Sequence, residues 1–123
     1  MTADQIAKAY RAVHELHGMV LPYRAARDVA RLKRKLDEEM KVIVQMEQTI
    51  VGKYKGKTQA NGSYQFETPA MANACKVELD QFNQDEAPVD LPMVDLSEYA
   101  DQICISAGAI EALEGLITFE GSD

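Results

Sequence analysis

Residues 21–54, LPYRAARDVARLKRKLDEEMKVIVQMEQTIVGKY, read as one uninterrupted α-helix, and that reading decides the fold. Ala25, Val29, Leu32, Leu36, Met40, Ile43, Glu47, Ile50 and Tyr54 recur at three- and four-residue steps along it. Eight steps cover 29 residues, close to the ~3.6 residues per turn of an α-helix. Pro22 suits the first turn, where its missing N–H costs nothing. Gly52 and Gly56 mark the end. A helix of about 33 residues is about 50 Å long, more than the diameter of a small domain. Part of it is therefore expected to project, or to pack against another subunit.

The same stretch carries a charge anomaly. Arg24, Arg27, Arg31 and Arg34 recur on one side of its first half, with Lys33 and Lys35 beside them. Counting Arg24 as zero, the apolar line centres near about 110° and the arginines fall at roughly 280° to 360°. The basic row thus lies about opposite the core line. Cations near a helix N-terminus oppose the macrodipole, each by about 0.3–1 kcal/mol when exposed. A local rule broken without local compensation points to a functional or interface surface. Arginine outnumbers lysine here, and its planar fork fits carboxylate or phosphate better.

Working outward, Thr2 and Gln5 form the pattern of a capping box. Ile6, Ala9, Tyr10, Val13 and Leu16 then define the buried face of a first helix that stops at Gly18. The short connection makes the two helices an antiparallel pair. Beyond the long helix, Lys53 to Lys57 and Ser63 to Glu67 are strand-like, and Asn61-Gly62 signals a type I′ hairpin turn. Thr68 caps a third helix opened by Pro69 and carrying Met71, Cys75, Leu79 and Phe82 on one stripe. Val89 to Leu96 reads as an extended segment that Pro92 confines to a sheet edge. Ser97 is expected to cap a brief turn, and Ile103 and Ile105 to form a short extended piece. Ser106 caps a last helix that buries Ile110 and Leu113 and ends at Gly115. Leu116 to Phe119 can return as a strand.

Composition narrows the function. With 123 residues and 46% hydrophobic content, the chain has one modest core and no room for two. A net charge of -7 argues against general affinity for nucleic acid and against docking on anionic lipid. No apolar run approaches the ~18 residues of a membrane span. The first residues lack the pattern of a signal peptide, so a cytoplasmic, unprocessed chain is expected. Cys75 and Cys104 sit in apolar surroundings and read as reduced core thiols.

Nothing in the sequence assembles a reaction. His14 and His17 lie at i and i+3, but no third metal ligand is nominated. Asp37, Glu38 and Glu39 read as a solvated face, with Arg34–Glu38 and Lys35–Glu39 as i, i+4 neighbours. A Walker-type phosphate loop and the serine nucleophile motifs are missing. We therefore expect no enzyme, no cofactor and no metal.

The order of segments resembles a group of small phage-encoded proteins. The resemblance is carried by Leu21 to Arg27 leading into Leu32 to Leu36, then by Lys53 to Lys57 and Asn61-Gly62. It continues through Gln81-Phe82-Asn83, the acid-and-aliphatic run Val89 to Leu96, the stretch Ser106 to Leu113, and Gly115-Leu116-Ile117. Where the group has a charged strand after the hairpin glycine, this chain has Ser63-Tyr64-Gln65-Phe66. The resemblance implies a phage or prophage product acting in the host bacterial cytoplasm or in the virion. It carries over no active-site residue.

The expected fold is α+β and mainly helical, with residues 1–123 as a single domain. A helical hairpin (1–54) is followed by a β-hairpin (55–67) and by a small C-terminal α/β segment (68–123). The expected function is non-catalytic: protein–protein interaction or self-assembly, as a virion or accessory component or a host-directed inhibitor. The alternative is sequestration of a phosphorylated nucleotide-type ligand. Either would use Arg24, Arg27, Arg31, Arg34 and Lys35. Four coverings of this row stay open. The twelve acids after Val77, a stretch with no Lys or Arg, could dock on it within the chain or from a neighbouring subunit of a homo-oligomer. An acidic phage or host protein could bind it. A phosphorylated small molecule or a nucleic-acid segment could sit there. Or it is an ordinary solvated face.

Overall fold

Thr2 opens the first helix as its sequence dictates. Its hydroxyl accepts the Gln5 N–H at 3.1 Å, and the Gln5 side chain accepts the Thr2 N–H at 2.9 Å. The computed structural model describes residues 1–86 and 89–119. Helix α1 spans Ala3–His17 and α2 spans Tyr23–Lys53. Strands β1 (Lys57–Thr58) and β2 (Tyr64–Gln65) follow, then α3 (Pro69–Gln84) and β3 (Val94–Asp95). A 3-10 helix (Ser97–Gln102), α4 (Ala107–Ala112) and β4 (Ile117–Thr118) complete the order. The fold is α+β and mainly helical.

The antiparallel α1–α2 pair forms the centre. Ile6, Ala9, Val13 and Leu16 of α1 pack with Ala25, Val29, Leu32, Leu36 and Ile43 of α2. The C-terminal segment adds Val94, Leu96, Ala109, Leu113, Leu116 and Ile117 to the same cluster. Each fully buried leucine contributes about 1.5–3 kcal/mol. Tyr10 is only half-buried. Helix α1 packs on both α2 and α4, which make no comparable contact with each other. Strands β3 and β4 pair in parallel, Val94 with Ile117 and Asp95 with Thr118.

Beyond Ile43, α2 outruns α1 and rests on α3. Val51, rather than Ile50, is the buried residue of its last turns, and Cys75 is the buried residue of α3. Helix α2 ends in a Schellman motif. The Gly56 N–H reaches the Val51 carbonyl at 2.9 Å, and the Lys55 N–H reaches that of Gly52 at 3.0 Å. Lys55 holds the left-handed position, at φ 57°. Gly56 is required by close approach: a Cβ there would lie 2.5 Å from Val51 Cγ1 and 2.8 Å from the Phe66 ring.

Several sequence expectations need correction. Pro22 is the N-cap of α2, one residue outside the helix, and makes no side-chain cap. Lys53 and Tyr54 belong to the end of α2 and not to the hairpin, because the Schellman bonds capture that segment. The hairpin turn is not type I′. The Gly62 N–H bonds the Gln59 carbonyl at 3.0 Å and the Gln59 N–H bonds the Ser63 carbonyl at 2.7 Å. Of the turn residues only Gly62 has positive φ, at 85°, which makes a three-residue loop ending in a glycine bulge. The Asn61 side chain instead accepts the Ser63 N–H at 3.1 Å. Ser97 is not a cap: Asp95 accepts its N–H at 3.0 Å and its hydroxyl at 2.6 Å. Ile103 and Ile105 join no ladder. Ile110 is 46% exposed, because α4 turns Ala109 inward instead. Cys104 is exposed, not a core thiol.

Candidate interaction surface

The arginine row starts at a helix end that has nothing to offset it. The first turn of α2 contains no acid, and Pro22 supplies no cap. Arg27 leans back over the exposed Tyr23, with Cζ 6.0 Å from the ring centroid, and its Nε lies 3.7 Å from Asp28. Arg24, Arg31 and Arg34 are exposed, and among the described residues none of them makes an ion pair or hydrogen bond. Lys35 pairs with Glu38 at 3.6 Å, three residues on, rather than with Glu39. The expected Arg34–Glu38 pair is not formed among the described residues, since Glu38 is taken by Lys35.

Lys33 leaves the row. It turns toward α1 and pairs with Asp37 at 3.2 Å, its side chain only 22% exposed. The Tyr10 hydroxyl is the main group holding the Asp37 carboxyl below the usual carboxylate range, with Lys33 assisting. This trio stitches α1 to α2 on the flank between the core line and the arginines. The structure thus keeps Arg24, Arg27, Arg31, Arg34 and Lys35 as one outward face.

That face continues further than its charge suggests. Val42 and Met46 are 50% and 48% exposed. On the wheel that places Arg24 at zero they fall at roughly 0° and 40°, in line with the arginines. From Arg24 to Met46 the face is about 33 Å long. It is basic along its first half, and along its second Val42 and Met46 stand among the exposed polar residues Glu38, Gln45 and Thr49. The signal lay in the wheel, where Val42 and Met46 fall outside the core line.

A second surface lies across the molecule. Met1, Gln5 and Lys8 of α1, residues 89–93, and α4 with Glu114, Gly115 and Leu116 border an open groove of about 1040 Å³, Met1 lying just before α1. Val89, Leu91 and Leu116 give it apolar walls, and the exposed Asp90, Glu111 and Glu114 stand along it. Helix α4 is held over α1 by the Ser106 hydroxyl, which reaches Glu15 at 3.2 Å and accepts the Ala109 N–H at 3.1 Å. Neither this groove nor the smaller one beside Lys8 and Arg11 is lined by an arginine of the row.

Among the described residues, no C-terminal acid pairs with the row. Among the described residues, those after Val77 that form ion pairs are Glu78, with Lys53, and Glu86, with the amino terminus. Docking within the chain is thus absent among the described residues; Glu120 and Asp123 lie outside them. His14 donates from Nδ1 to the Tyr10 carbonyl at 2.8 Å and meets the Tyr10 ring edge-on. No group of three or more His, Cys, Asp or Glu side chains is placed to hold a metal among the described residues. No helix of the described residues is long and apolar enough to cross a membrane. Comparison of the chain with protein families, curated proteins and solved structures finds no match.

Proposed function

We propose that this is a non-catalytic binding protein of phage or prophage origin, acting in the host cytoplasm or the virion. It engages an acidic protein surface through the outward face of α2. The observation that carries the reading is the run of unpaired, exposed Arg24, Arg31 and Arg34 that continues on the same line into Val42 and Met46. Arginine and methionine are the residues enriched where protein surfaces meet, and lysine is depleted there. The face is convex and about 33 Å long, a shape for a partner surface. A nucleotide would instead call for arginines converging on a cavity, and the row lines neither groove.

The test is a photo-crosslinking amino acid placed at Arg31, Arg34 or Met46, with Gln59 in the hairpin loop as control. In the proposed bacterial host, illumination should give discrete protein adducts from the α2 positions and none from the control. Free, uncrosslinked protein from all three α2 positions refutes the reading.

A further inference from the structure

We infer that the acidic surface engaged by α2 belongs to a second copy of this chain: the outward face of α2 lies in the acid-rimmed groove between α1 and α4 of the next molecule. The inference rests on the binding reading above and names its partner.

Charge segregation along the chain is the first support. All 13 Lys and Arg residues precede Val77, against eight of the 20 acids, so residues 1–76 carry +5. The remaining twelve acids give residues 77–123 a charge of -12. The fold keeps α2 and α4 apart, with α1 between them; Lys8 of α1 also lines the groove and is paired with Asp4 at 3.1 Å. The molecule therefore presents a basic helix face and an acidic groove on different surfaces.

Matching chemistry is the second support. Asp90, Glu111 and Glu114 are exposed, and none makes an ion pair among the described residues. They can meet Arg31, Arg34 and Lys35, while the Val89, Leu91 and Leu116 walls receive Val42 and Met46. Each partner supplies apolar side chains near charged ones of the opposite sign, Val42 and Met46 on the helix and Val89, Leu91 and Leu116 in the groove. Arg31 to Met46 is about 22 Å of helix. The overall charge of -7 repels copies at long range. At about 0.1 M salt that repulsion is screened beyond about 10 Å, so the facing patches govern the contact.

The two surfaces share no residue, so one molecule can use both at once. Such an interface is heterologous, and it builds a ring where the rotation closes and a filament where it does not.

The test is mass in solution, by light scattering and sedimentation, of the full chain and two charge-reversed variants. Wild type should associate with rising concentration and dissociate with added salt. Arg31→Glu with Arg34→Glu disables the helix face; Glu111→Lys with Glu114→Lys disables the groove. Each variant alone should associate at least about tenfold more weakly than wild type. An equimolar mixture should recover association, since the intact helix face of one partner meets the intact groove of the other and the two reversed surfaces are themselves complementary; that recovery also shows that both variants are folded. A wild type that stays monomeric across the accessible concentrations overturns the inference, as does association that survives Glu111→Lys with Glu114→Lys. Adducts to a different protein from Arg31 or Met46, with a monomeric wild type, would refute the second copy and leave the binding reading standing. Absence of any adduct would refute both.

Discussion

The Tyr54 hydroxyl donates to the Glu78 carboxylate at 3.0 Å and so ties the last turn of α2 to the middle of α3. Lys53 reaches the same oxygen at 2.8 Å. One turn earlier on α3, Cys75 is buried beneath this contact, and that burial pushes its thiol up. The part of α2 that outruns α1 is thus held by a small polar knot over a small apolar one, Val51 with Phe66 beside Gly56.

The knot makes acid stability testable. Hydrogen bonds from Lys53 and then Tyr54 hold the Glu78 carboxyl below its ordinary value. Tyr10 and then Lys33 do the same for Asp37, and the Ser97 hydroxyl and N–H for Asp95. In the unfolded chain these groups return to about 4. A depressed folded value stabilises above the unfolded value, and that stability is lost as pH falls through the folded one. Thermal stability should therefore be level from about pH 7 to 5 and fall below about 4. In the combined variant Asp37→Asn, Glu78→Gln and Asp95→Asn, the fall from pH 5 to 3 should be shallower. An acid limb identical to wild type would show that other carboxylates govern it.

Lys55 is a lysine where a glycine is the natural choice. Its φ of 57° places it in the left-handed region. That conformation costs a side-chain-bearing residue about 1–2 kcal/mol, and glycine's greater unfolded freedom offsets about 0.5–1 of it. Lys55→Gly should raise stability by about 0.5–1 kcal/mol, read as a Tm increase of a few degrees. Gly56→Ala should do the reverse, by about 1–3 kcal/mol, because its Cβ would press on Val51 and Phe66. A Gly56→Ala protein as stable as wild type would mean that this contact relaxes freely.

Long-period signals were legible in the sequence and short ones were not. Helix α2 announced itself because nine positions agreed on one line, and its outward arginines followed from the same wheel. Thr2, Thr68 and Ser106 were legible because a cap is a local bond between residues three apart. The hairpin turn was misread because Asn61 spends its side chain on Ser63 rather than adopting left-handed backbone. Lys53 and Tyr54 were misread as strand because the left-handed residue that follows the helix is Lys55, not a glycine. Ile110 was misplaced because a helix of six residues has too few turns to fix which side is buried, and Cys104 because it lies outside any helix or strand. The groove was invisible because it is assembled from residues 1–8, 89–93 and 108–116, which no local pattern connects.

The two cysteines should separate by reactivity. Cys104 is exposed, whereas Cys75 is 1% exposed. Burial, and then the Glu78 charge, raise the Cys75 thiol and lower its thiolate fraction. A maleimide or disulfide reagent in slight excess should modify one thiol quickly under native conditions, and peptide mapping should place it at Cys104. Cys75 should react only at the rate of unfolding, and in denaturant the two should become equivalent. Rapid native labelling of Cys75 would show that the α2–α3 contact opens on the timescale of the reagent.

Stability and binding should part company at Arg24. The residue sits in the first turn of α2, exposed, with no acid in that turn and no side-chain cap before it. Its charge opposes the macrodipole and makes no ion pair among the described residues, so the fold gains nothing from it. Reversing it should be favourable to folding: Arg24→Glu should raise unfolding free energy by about 0.3–1 kcal/mol at low salt, and by less as salt screens the dipole. The same change removes a cation from the outward face and should weaken self-association. Denaturant titration of the dilute monomer reads the first effect, and the concentration dependence of mass reads the second. A residue retained for the fold would lose stability on reversal; one retained for a partner should gain it while losing the partner. If Arg24→Glu destabilises the monomer and leaves its mass profile unchanged, the basic row serves the fold rather than an interface.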